Sequence, residues 1–157
     1  MNDPMLHASQ QLSAWCVHEP RYRVAWLTGP PLSGKTLLAR RLCDAHGWHY
    51  LDYTGTPGYF DTLADTLATY RPDDLTAALQ SWCAGCAAPV LVVDEIDSVL
   101  AIWFHDQRSV WANRVSRLPY LSCGVVIVTH LFTCDTLATF LPDGSQRCCL
   151  TLPCEDV

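Results

Sequence analysis

The stretch RVAWLTGPPLSGKT, residues 23–36, decides the fold. Arg23 to Thr28 reads as a short buried β-strand, and it runs directly into Gly29. From there Gly29-Pro30-Pro31-Leu32-Ser33-Gly34-Lys35-Thr36 satisfies the spacing G-x-x-x-x-G-K-[ST]. Glycines let the backbone wrap with its N–H groups pointing inward, and the start of the following helix adds a positive dipole. Strand, loop and helix in that order make a cradle for phosphate. Residues 29–36, together with Leu37 in the first helical turn, are therefore the expected nucleotide-binding set. Lys35, the chain's one lysine, is expected to reach the β- and γ-phosphates, and the Thr36 hydroxyl to coordinate Mg²⁺. Leu32 sits at a turn position where a positive φ would strain a leucine.

The rest of the chain supplies the alternation that such a cradle needs. Pro4 to about His18 reads as a helix with Leu12, Trp15 and Cys16 on one side. The helix after the loop carries Leu38, Leu42 and Ala45 along one stripe and ends at Gly47. WHYLDY (48–53) is a second strand, closed by the breaker TGTPG. Phe60, Leu63, Ala64, Leu67 and Ala68 have the spacing of an amphipathic helix, and Pro72 starts another, with Leu75, Ala78, Leu79 and Trp82 inward. PVLVVDE is a third strand, and a helical region broken near His105 spans about Ile96 to Leu118. GVVIVTH (124–130) is a fourth strand; a short helix near Thr133 and a fifth strand, RCCLTL (147–152), complete the series. Strands alternating with helices predict an α/β three-layer sandwich around a parallel sheet, one domain over residues 1–157.

Two acids follow the third strand. Asp94 is expected to emerge at the strand's C-terminal end beside the phosphate loop and to hold Mg²⁺ with Thr36. Glu95 is placed to orient or deprotonate an attacking water. Asp97, one turn later, reads as charge complementing the helix dipole. Thr129 and His130, at the end of the fourth strand, are candidates to hold that water or touch the γ-phosphate.

Composition narrows the function classes. Ten basic against 16 acidic residues give a net charge of −6, which excludes a monomer that grips DNA through a broad basic face. Any nucleic-acid role would be shared with an oligomer or a partner. The N-terminus MNDPMLHASQ has no basic segment followed by an apolar one, and the longest apolar run, CAAPVLVV (86–93), is too short to cross a bilayer. A cytoplasmic, reduced setting follows, with the nine cysteines serving mainly as small core residues. Cys83 and Cys86 have zinc-like spacing but lack a second pair, and Cys148 and Cys149 would face opposite sides of a strand.

The leading helix, GPPLSGKT, VLVVDE, VVIVTH and the tail LPDGSQRCCLTLP, in this order, resemble the additional-strand branch of P-loop NTPases, and within it the AAA+ ATPases. The resemblance implies a five-stranded parallel sheet of order 5-1-4-3-2, Mg²⁺-dependent ATP hydrolysis, and homo-oligomers assembled through AAA+-type interfaces. It maps the sensor residue at the fourth strand to Thr129 or His130. The arginine finger that reaches a neighbour's nucleotide maps to Arg147, the one basic residue between the fourth and fifth strands. Such proteins carry a helical lid after the fifth strand; this sequence ends at Val157, about where the core closes, so slow turnover alone is expected. Tyr59 and Phe60 stand where translocating relatives present an aromatic pore loop, although Phe60 also reads as the first core residue of its helix. In size and motif order the chain is also similar to the small P-loop component of type III BREX phage-defence systems. That similarity implies a bacterial ATPase working with larger, DNA-acting partners.

Two other readings compete. A small-molecule kinase would need an arginine-rich lid, for which Arg108, Arg114 and Arg117 are the available cluster. A nucleotide-gated adaptor would use binding alone to stabilise an assembly.

Overall fold

The computed structural model describes residues 4–18, 21–141 and 148–152. In chain order the elements are α1 (Pro4–His18), β1 (Val24–Thr28), α2 (Lys35–His46), β2 (His49–Asp52), α3 (Pro72–Ala84), β3 (Val90–Asp94), α4 (Asp97–Leu100), α5 (His105–Ser116), β4 (Gly124–Thr129), α6 (Cys134–Ala138) and β5 (Cys149–Thr151). The five strands form one parallel sheet ordered β2-β3-β4-β1-β5, which is the expected order read from its other edge.

The three central strands are buried along their whole length. Their sequences VAWLT, VLVVD and GVVIVT are continuous apolar runs because helices cover both faces, leaving no solvent side to demand alternation. Edge strand β2 is less covered, with Leu51 buried, Tyr50 and Asp52 half-buried and His49 exposed. On one face α1 packs over β1, β4 and β5 beside α2; on the other, α5 packs on β1 and against α3 and α6. Trp26 of β1 anchors the second face. Its ring meets Trp111 of α5 edge-on at 5.9 Å, and its indole N–H donates to Ser116 Oγ at 3.3 Å. Side chains of this size bury roughly 150–250 Å² each, about 4–6 kcal/mol of transfer free energy apiece.

Three expectations change. Residues 60–69 form two short 3₁₀ turns, Phe60–Leu63 and Leu67–Thr69, in place of one amphipathic helix. The hydroxyls of Thr62 and Thr69 donate to the carbonyls of Tyr59 and Thr66, a local pairing that competes with the α-helical ladder. Tyr59 and Phe60 stack edge-on against Trp82 at 5.4 Å and Tyr53 at 5.7 Å and pack half-buried against the core, in line with the core reading of Phe60. On α2 the buried face is Ala39, Leu42 and Cys43, while Ala45 is exposed, because the helix meets the sheet through its middle turns. Cys134 and Cys149 are joined as a disulfide, where free thiols were expected. Their Cα atoms lie 5.5 Å apart because the first turn of α6 packs on β5. The other described cysteines form no disulfide, and Cys16, Cys43, Cys83, Cys123 and Cys148 are buried.

Among the described residues no group of histidines, cysteines and acids is disposed to hold a metal ion, Cys83 and Cys86 included. No described helix is long and apolar enough to cross a membrane.

Candidate functional site

Parallel strands carry their C-terminal ends to one edge of the sheet, and ligands collect where neighbouring connections diverge there. Register brings the polar residues level. Thr28 pairs with Thr129, Asp52 pairs with Asp94, and Val93 pairs with Ile127, one step before Asp94. A cavity of about 510 Å³ opens over these ends. Pro31, Leu32, Gly34, Lys35, Thr36 and Leu37 line it from the loop, Asp94, Glu95 and Asp97 from β3 and α4, and Val128, Thr129 and His130 from β4.

The loop folds as its composition dictates. Gly29 has φ +148°, and a Cβ built there would lie 2.1 Å from the Leu152 carbonyl oxygen, so only glycine lets β5 approach the loop this closely. Gly29, Pro30 and Ser33 do not line the cavity, and two prolines leave no amide to offer at 30 and 31. Leu32 does take φ 63°, with its side chain fully exposed, so the anticipated strain of about 1–2 kcal/mol is present. Gly34 precedes α2 without any side-chain cap on the helix's first N–H groups. The start of α2 is thus an unshielded positive dipole facing the cavity.

Lys35 lines the cavity with its ammonium tied to the loop itself. Its Nζ donates to the carbonyls of Gly29 at 2.8 Å and Pro30 at 2.6 Å, and to Ser33 Oγ at 3.3 Å. Burial lowers its pKa from the usual lysine range, opposed by the charges of Asp97, Asp94 and Glu95.

Asp94 is buried, and its oxygens are committed. Oδ2 accepts from the Thr36 hydroxyl at 2.7 Å and from the Tyr50 hydroxyl at 2.6 Å, and Oδ1 accepts from the Glu95 amide at 2.8 Å. Thr36 and Asp94 place two hard oxygen donors together at the head of the loop, which fits a magnesium ion completed by waters and phosphate oxygens. Glu95 adopts φ 65°, unusual for a side chain of its kind, while the next residue, Ile96, is buried. The left-handed turn throws the Glu95 carboxylate outward over the cavity and keeps Ile96 in the core. Burial, then Asp94, Asp52 and Asp97, raise the Glu95 pKa, with His130 pulling the other way. A carboxylate held that way is a better proton acceptor than a free one.

Thr129 is 1% exposed and His130 projects into the cavity. Both are tied to Asp97, whose Oδ1 accepts from Thr129 Oγ1 and whose Oδ2 accepts from the His130 amide at 2.9 Å. Asp97 thus does more than complement a helix dipole. Tyr50 was not singled out from the sequence either, since its link to Asp94 depends on the β2–β3 register. Arg147 lies outside the described residues. Arg114 is ion-paired to Asp73, on the α3–α5 side of the molecule.

A search of curated proteins finds no match to the chain. The sequence pattern of the ATPase family associated with various cellular activities (AAA) matches residues 25–117, from β1 through α5, and so takes in the loop, Asp94 and Glu95. With more than half of its length matched, and with the sheet order and loop described above, the chain belongs to the AAA family of ATPases.

Proposed function

We propose that the protein is a Mg²⁺-dependent ATPase in which Lys35 and the amides of residues 32–37 bind the phosphates and Glu95 takes the proton of the attacking water. The observation that carries this reading is the 2.7 Å contact between the Thr36 hydroxyl and Asp94, with Glu95 turned out beside it. Thr36 and Asp94 would hold the magnesium ion, which neutralises phosphate charge when bound. In that state Lys35 exchanges its three loop oxygens for the β- and γ-phosphates. Lys35→Ala should weaken ATP binding by roughly tenfold or more and abolish phosphate release. Fluorescent-nucleotide titration beside a phosphate-release assay checks this, and unchanged affinity would remove the phosphates from this loop.

Tyr50 holds Asp94 from behind. Tyr50→Phe should therefore raise the Mg²⁺ concentration for half-maximal turnover about tenfold, with the fold intact. A magnesium titration of phosphate release reads this directly.

A second reading is an adaptor in which the same cradle switches an assembly by nucleotide binding alone. ATP binding without phosphate release above background would select it.

The functional unit we infer is a homo-oligomer within a larger assembly, with Arg147 completing a neighbour's site. Leu32 and Leu37, both exposed at the cavity rim, support an interface there. The net charge of −6 supports DNA contact through partners in preference to this chain. Placement in a bacterial phage-defence complex rests on the sequence resemblance.

A further inference from the structure

Asp97 bridges two elements that the sheet keeps apart. It stands at the start of α4, yet its carboxylate closes on the exit of β4 at three points. Oδ1 accepts the Thr129 hydroxyl, while Oδ2 accepts the His130 amide at 2.9 Å and lies 2.6 Å from His130 Nδ1. The Thr129 hydroxyl also accepts from the Leu131 amide at 3.1 Å, and the residue is buried. Its one proton is committed to Asp97, so Thr129 has no hydrogen to donate to a ligand. His130 does: its side chain is 42% exposed against 16% for Asp97, and it lines the cavity with Glu95 and Lys35.

We propose that Asp97 is a positioning residue that locks His130 in its Nδ1–H tautomer, so that Nε2 accepts a hydrogen bond from the attacking water. This rests on the ATPase reading above. An ionised carboxylate has no proton to give, so the hydrogen in the 2.6 Å contact belongs to the ring. A neutral imidazole with Nδ1 protonated carries its lone pair on Nε2, on the side of the ring away from Asp97. His130 and Glu95 line the same cavity. Two acceptors then face one water. As the water oxygen bonds to the γ-phosphorus and the bond to the β-phosphate oxygen breaks, one water proton passes to Glu95. The other remains on the oxygen, hydrogen-bonded to Nε2. The products are ADP and inorganic phosphate, and Glu95 returns its proton to solvent.

Asparagine at 97 is not the informative change, because its amide can turn its oxygen to the His130 amide and Nδ1–H and keep the tautomer. Alanine removes the acceptor that holds the proton on Nδ1 and releases the ring to carry it on Nε2, which replaces the water's acceptor with a donor. The experiment is ¹⁵N NMR of histidine-labelled, nucleotide-free protein at about pH 8, where an ordinary imidazole is neutral. Among the six histidines, His130 is assigned by its loss in His130→Asn. Wild type should show a protonated Nδ1 and a lone-pair Nε2, and Asp97→Ala should lose that preference. In parallel, Asp97→Ala should lower kcat about 10–100-fold and leave KM for ATP within about threefold. A wild-type ring protonated at Nε2 overturns the proposal, and so does an Asp97→Ala protein with unchanged tautomer or unchanged kcat. If Asp97→Ala does not fold, the wild-type spectrum still decides. Absent phosphate release by wild type would sink the ATPase reading and with it the water-holding role, while the spectra separately test the Asp97–His130 lock.

Discussion

Glu95→Gln lowers the rate of phosphate release by about 100-fold or more and leaves ATP affinity within about threefold of wild type. The amide keeps the size and polarity of the carboxylate but cannot accept a proton at the pH of the assay. Nothing in the nucleotide cradle is disturbed, because Glu95 gives the loop no hydrogen bond, and its own amide is anchored to Asp94 at 2.8 Å. The left-handed backbone at φ 65° also survives, since it is imposed by buried Ile96 and Asp94 on either side. The effect thus falls on kcat and spares binding. A variant that kept its turnover would move the general base elsewhere, and a variant that lost affinity would show that Glu95 orders the site instead of acting in it. Acid titration of wild type should agree in sign. Glu95 holds its proton to a higher pH than an ordinary glutamate, so turnover is lost from the acid side earlier than for an unperturbed carboxylate.

Gly29→Ala should be the most damaging small substitution in the molecule. The added Cβ would sit 2.1 Å from the Leu152 carbonyl oxygen and 2.9 Å from its carbon, both backbone atoms that cannot rotate aside. That carbonyl belongs to the end of β5, whose pairing continues from the Leu152 amide to the Thr28 carbonyl at 2.7 Å. Relief requires the strand to part from β1, or the loop to abandon φ +148°, which a side chain disfavours in any case. Overpacking and backbone strain each cost about 1–3 kcal/mol, so the sum is roughly 2–6 kcal/mol. For a chain of this length that is a fall in Tm of about 5–20 °C. Gly34→Ala is the informative comparison: φ is +95° but no atom lies within 4 Å, so strain acts without a clash. Thermal melts of the two variants should separate by the overpacking component, and equal melting temperatures would mean that β5 does not press on the loop.

Much of this was legible before any coordinates. β1, β3 and β4 announce themselves as unbroken apolar runs because their burial leaves no choice of residue. The loop reads from spacing because phosphate binding constrains backbone, and backbone constraints surface as glycines. Illegible parts share one physical cause, which is that they depend on where two distant segments meet. Tyr50 reaches Asp94 only through the β2–β3 register. Asp97 looks like an ordinary acid at a helix start until the exit of β4 is seen against it. The Cys134–Cys149 bond needs α6 folded onto β5, and neither residue carries a mark of that. The segment 60–69 misled for a different reason. Its apolar spacing suits a helix, but none of those side chains becomes buried, so threonine hydroxyls settle the backbone locally.

β4 lies between the strand that feeds the loop and the strand that ends in the acids. Sliding one half of the cleft past the other would therefore shear two ladders at once, through six consecutive buried residues. The floor of the cleft behaves as a single stiff plate. In the proposed ATPase, the parts of the cleft left free to respond to the γ-phosphate lie at its rim, at Leu32, Leu37 and the turn that carries Glu95.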